Sequence, residues 1–134
     1  MKLKKWIQST GELPAGADQH MLYRVFTNQD KICSITTINW RSGDSMENYQ
    51  MVCCPPSSNL DGTEEWADLK GAFFINAVMK GGAGTTQVPF ALLTAQGTGF
   101  PFCLIPPYWS LAVCDVTAAS ANNFVVWIGG YELE

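Results

Sequence analysis

Apolar residues in this chain come in short runs of strand period, cut by turn residues at intervals of roughly 8 to 15 positions, and no stretch carries a long helical period. The runs are Met21–Phe26, Ile32–Ile38, Asn48–Cys54, Ala72–Met79, Thr86–Thr94, Phe102–Ile105, Tyr108–Val116 and Phe124–Leu133. Such a pattern predicts an all-β fold, an antiparallel β-sandwich or jelly roll of about eight strands. The short polar connection Asn28-Gln29-Asp30 predicts that the first two runs pair as a hairpin. Arg41 to Asp44 forms the next turn, and Pro55-Pro56 stops the third run because proline removes a ladder donor. Pro55 to Lys70 is the longest polar insertion, with room for a short helical turn that sets Trp66 and Leu69 on one face. Ser9 to Gln19 is polar and bears glycine and proline, so residues 1–20 are expected as an N-terminal arm and residues 21–134 as the sandwich domain.

At 134 residues the chain makes one domain able to bury roughly two thirds of its unfolded surface. Only 15% of its residues are charged, against about 25% in an ordinary soluble domain. The exterior is therefore covered by neutral polar groups or shared with neighbours. All eight Lys and Arg lie at or before Lys80, and Gly81 to Glu134 holds only the acids Asp115, Glu132 and Glu134. Two readings fit this asymmetry: a second part interior to an assembly, or the well-buried half of an ordinary core. The first predicts symmetric self-association, which hides an uncharged surface.

Several partners are disfavoured. A net charge of −4 and a pI near 4.8 supply no basic face to neutralise phosphates, so no nucleic acid is expected. No window of about 18 apolar residues exists to span a membrane. The basic start, Met1 to Ile7, gives way to Gln8-Ser9-Thr10-Gly11-Glu12 before an apolar signal segment forms, which argues against secretion by that route. The five cysteines are odd in number and Cys53-Cys54 are neighbours that rarely reach disulfide geometry, so reduced, buried thiols in a cytosolically made protein are expected.

Candidate chemistry is sparse, and neither enzyme activity, a metal nor a cofactor is expected. His20 is the single histidine and has no nucleophile motif beside it, which predicts a solvated or hydrogen-bonded surface residue. Asp61, Glu64, Glu65 and Asp68 could supply a glycosidase pair or a hard-cation site, but no cleft or calcium-loop spacing accompanies them. Gly81 to Gly84 and Gly97 to Gly99 are expected as turns, since neither is followed by a phosphate-binding lysine. Trp6, Trp40, Trp66, Trp109 and Trp127 could form a stacking platform if several shared one exposed face. Strand alternation places Trp109 with Leu111 and Val113 on the core side, leaving Trp40 and Tyr108 as the candidate exposed contacts.

Two segments carry a resemblance. Leu22-Tyr23-Arg24-Val25, Ile32 to Asn39 and Tyr49-Gln50-Met51-Val52, with the closing runs Trp109 to Ala118 and Phe124 to Leu133, resemble small β-sandwich virion proteins of tailed bacteriophages. Phe26 stands where such proteins often place proline, and the insertion from Pro55 to Lys70 is long. The resemblance implies a virion component assembled in the host cytoplasm, often a homotrimer, that contacts major capsid or tail proteins. The leading expectation is a capsid decoration or cement protein whose arm, through Lys2, Lys4, Lys5, Trp6 and Ile7, reaches onto the lattice. On that expectation, deleting Met1 to Gln19 leaves the fold intact. The alternatives are a tail, baseplate or fibre-tip module gripping a host glycan through Trp40 or Tyr108, and a small hydrolase using the Asp61 to Asp68 acids.

Overall fold

The computed structural model describes residues 3–42, 47–75, 79–80, 93–94 and 103–133. Within them lie the strands β1 (Leu3–Leu13), β2 (Met21–Thr27), β3 (Cys33–Ser42), β4 (Asn48–Cys54), β5 (Asp61–Glu65), β6 (Phe73–Phe74), β7 (Met79–Lys80), β8 (Leu93–Thr94), β9 (Cys103–Ile105), β10 (Ser110–Asp115) and β11 (Phe124–Leu133). A single 3₁₀ turn, Trp66–Asp68, is the one helical element among the described residues, and it falls where the helical turn was expected. No helix there is long and apolar enough to cross a membrane.

The strands form two antiparallel sheets. In the first the order is β1-β11-β3, with β8 and β9 lying end to end along the far edge of β3. In the second it is β5-β2-β10-β4, with β6 and β7 sharing the far edge of β4 in the same way. Chain neighbours β1 and β2, β2 and β3, β3 and β4, and β10 and β11 fall in opposite sheets. This interleaving is the double Greek key of a jelly roll, extended by β5 as an extra lane on β2.

Three sequence expectations are corrected. The runs on either side of Asn28 do not form a hairpin: β2 and β3 belong to different sheets, and Asn28 holds the corner between them. Its buried side-chain amide donates to the carbonyls of Lys31, Ile105 and Pro106 at 2.7, 3.1 and 2.9 Å. The segment expected as an arm is a full strand, because β1 pairs with β11 from Leu3↔Leu133 to Leu13↔Phe124. The polar insertion contains β5, which pairs with β2 at Met21↔Glu65 and Tyr23↔Asp61.

Side chains alternate across each strand, so both sheets send one set inward. Leu13, Val25, Ile35, Ile38, Met51, Leu111, Val113, Phe124, Val126 and Ile128 are buried in the shared core. There the rings of Tyr49 and Phe124 stack at 3.8 Å with 6° between planes. A second buried cluster, Leu22, Val52, Cys54, Leu60, Ala112 and Cys114, lies on the outer side of the second sheet. Trp66, Leu69 and Ala72, from the segment after β4, pack over it. Every residue of β10 is therefore buried, Leu111 and Val113 in one cluster and Ala112 and Cys114 in the other. Gly130 on β11 faces the bulge between Thr37 and Ile35, where a Cβ would stand 2.0 Å from the Ser34 carbonyl oxygen, so no other residue fits.

Candidate functional site

Among the described residues no such cover packs on the outer side of the first sheet, and its outward residues form one surface. Across β1, β11 and β3 the register aligns Gln8 with Gly129 and Thr37, and Thr10 with Trp127 and Asn39. Trp6 pairs with Tyr131 in the adjoining row, their rings meeting edge to face at 5.2 Å. Between the two tryptophans runs a groove of about 340 Å³, within the range of small-molecule sites, roughly 300–1,000 Å³.

Each wall is held in place. Trp6 Nε1 donates to Gln8 Oε1 at 3.0 Å, which leaves the Gln8 amide nitrogen as a donor. The Trp6 six-membered ring rests against Gly129, where an added Cβ would stand 2.7 Å from Cζ2 and Cη2. Glycine at this position makes room for the Trp6 ring to lie against the sheet. The Arg41 guanidinium sits 5.4 Å from the centre of the Trp127 ring and does not itself line the groove. A cation over an indole face fixes that ring's orientation. Asn39, also on the lining, has a buried Oδ1 without a hydrogen-bond partner among the described residues. None of the lining side chains carries a formal charge.

The predicted contact residues are divided by the structure. Lys2 lies outside the described residues; Lys4 and Lys5 are on β1, with Lys5 exposed. Trp6 is 48% exposed, whereas Ile7 packs against the shared core. Trp40 is not an exposed contact: β3 continues past it to Ser42, its side chain points inward beside Ile38, and it is 5% exposed. Tyr108 is 59% exposed and adopts φ 69°, its N–H donating to the Gln29 carbonyl at 2.8 Å. Nothing brings it to the groove. Trp109 packs partly buried against the core as its alternation requires. Of the five tryptophans, Trp6 and Trp127 share the outer face of the first sheet, with Gly129, Gln8 and Asn39 as neighbours that motif reasoning missed. Alternation against Phe124, Val126 and Ile128 carried the signal for Trp127 and Gly129.

The remaining chemistry is accounted for by local structure. Asp61 accepts hydrogen bonds from the Thr63 hydroxyl and N–H at 2.5 and 3.3 Å, and the hydroxyl bond holds its carboxyl below the usual range. Glu64 accepts from the Asn59 N–H at 2.5 Å. Partly buried His20 meets Trp66 edge on, 6.3 Å between ring centres. Asp115 is fully buried and accepts from the N–H groups of Thr117 and Ala118, closing the turn after β10. All five thiols are free. Burial pushes Cys53, Cys54 and Cys114 up to about 12, and burial together with Glu132 pushes Cys33 up to about 11. Thiols so raised are protonated near neutrality and make poor nucleophiles. Among the described residues no group of three or more His, Cys, Asp or Glu could hold a metal ion. The two glycine-rich stretches, 81–84 and 97–99, lie outside the described residues.

No protein-family model, curated protein or solved structure matches this chain.

Proposed function

We propose that this chain is a non-enzymatic virion structural protein of a tailed phage, a decoration module that sits on an assembled shell and associates with copies of itself. One observation carries the reading: large apolar side chains are exposed on the outermost lanes of both sheets. Phe73 and Phe74 on β6 are 45% and 37% exposed, and Leu104 on β9 is 41% exposed. Because β1 packs against β2 at one side of the sandwich, the lanes of β6 and β9 lie towards the other. Edge strands bearing exposed apolar groups invite pairing or burial by a neighbour. The scarcity of charge in the chain points the same way, and jelly rolls recur in viral capsids. The contact region is thereby moved from the N-terminal segment, which is spent on β1, to the opposite side.

Light scattering and co-sedimentation with phage particles test this. The intact chain is expected to form a closed oligomer and to pellet with particles, while Phe73→Ser/Leu104→Ser loses both properties and keeps its strand signal. A monomer that ignores every particle offered overturns the proposal. The second reading, a tail or fibre-tip module, is favoured by the groove on the first sheet.

A further inference from the structure

We propose that the groove between Trp6 and Trp127 is a binding site for an uncharged carbohydrate, one pyranose ring seated in the groove with its C–H face against an indole. The inference goes beyond shell attachment and requires only that the outer face of β1-β11-β3 stay open in the particle.

The combination of groups selects the ligand. Two indole walls offer flat apolar surface, which suits the ring carbons of a sugar. Between them lie neutral hydrogen-bonding groups: the Gln8 amide nitrogen as donor and the hydroxyls of Thr10 and Thr37. A purely aliphatic ligand would leave the Gln8 amide nitrogen and the threonine hydroxyls of the lining without partners, whereas sugar hydroxyls pair with them. A phosphate or sulfate finds no cation in the lining, and the −4 charge of the chain repels it. Gly129 matters because a side chain at that position would meet the Trp6 ring and displace one wall of the groove.

The walls are also organised before a ligand arrives. Trp6 is braced by Gln8 and Tyr131, and Trp127 by Arg41. Side chains already fixed lose less freedom on binding, which lets a small site work. These aromatics are not needed for the core, since they stand on the side of the sheet away from it.

Tryptophan fluorescence titration of the full chain, run on an array of neutral oligosaccharides, sialylated and sulfated oligosaccharides, and mononucleotides, tests the site. The neutral sugars are expected to shift the emission at millimolar concentration. Trp127→Ala and Gly129→Val should each weaken binding by about tenfold or more, with thermal midpoints close to the parent's. Gln8→Ala, at an exposed position, should weaken it several-fold and gives a variant safe for folding. Phe73→Ser should leave sugar binding unchanged, so that failure of the shell proposal and failure of this one are separable. Silence across the neutral sugars, tighter binding of the anionic sugars or nucleotides, or sugar binding that survives both Gln8→Ala and Gly129→Val would overturn the assignment.

Discussion

The two sheets of this sandwich treat their outer faces in opposite ways. The second is covered by the molecule itself: the segment after β4 folds back, and Leu60, Trp66, Leu69 and Ala72 close over Leu22, Val52, Ala112 and Cys114. The first has no such layer among the described residues and carries Trp6, Trp127 and Tyr131 among neutral polar groups. Aromatics on a covered face are explained by packing. Those on the outer face of the first sheet stand away from the core with no packed layer over them among the described residues, and that asymmetry marks the groove.

The contrast can be broken at several points, and the largest effect is expected at β1. Deleting residues 1–20 removes the strand that pairs with β11 along its length and exposes Phe124, Val126 and Ile128 at the sheet edge. Cooperative thermal unfolding by circular dichroism should be lost; a retained sharp transition would mean that β1 is dispensable after all. Next comes the cover itself. Leu60→Ala should cost about 3 kcal/mol, read from the urea midpoint, since buried leucine truncations cost roughly 2–5 kcal/mol. A loss below about 1 kcal/mol would show that the segment drapes over the second sheet without stabilising it. On the bare side, Trp127→Ala should change stability by less than about 1 kcal/mol, in keeping with surface substitutions away from the core. A cost equal to that of Leu60→Ala would erase the distinction between the faces.

The smallest effect is one of pH. Burial raises Cys53, Cys54 and Cys114 from an ordinary 9.0 to about 12. Between those values the unfolded chain gives up thiol protons that the folded chain keeps, so the folded state binds more protons and stability falls as pH rises. Below pH 9 these groups contribute no slope. Urea midpoints should therefore decline from about pH 9 upward, with the decline reduced in a Cys54→Ala/Cys114→Ala variant. The groove, which has no ionisable lining group, should bind its ligand equally at pH 7 and 9.

Much of the strand content was legible in the sequence, because period-two alternation is set by the pleat and does not depend on which strand is the partner. The partners were less legible for the same reason. Asn28 to Asp30 is as short as a hairpin loop, and only the three carbonyls gathered by the Asn28 amide distinguish a corner between sheets from a turn within one. β1 was hidden because its inward positions include Ser9 and Gly11, small residues that let β2 approach; the Ser9 hydroxyl donates to the Val25 carbonyl at 2.6 Å. A strand whose middle inward residues are this small looks like a tail. With β1 unplaced, Trp6 could not be set beside Trp127, and Trp40 looked exposed because the strand carrying it runs further than its turn-like neighbours suggest.

β10 has β2 on one edge, β4 on the other, and a packed apolar layer against each face. Its amide protons can meet solvent only when the whole molecule opens, since no partial fraying exposes a strand enclosed on four sides. Deuterium uptake at residues 110–115 is thus a gauge of global stability built into the chain, against which the faster labelling of every other lane can be ranked.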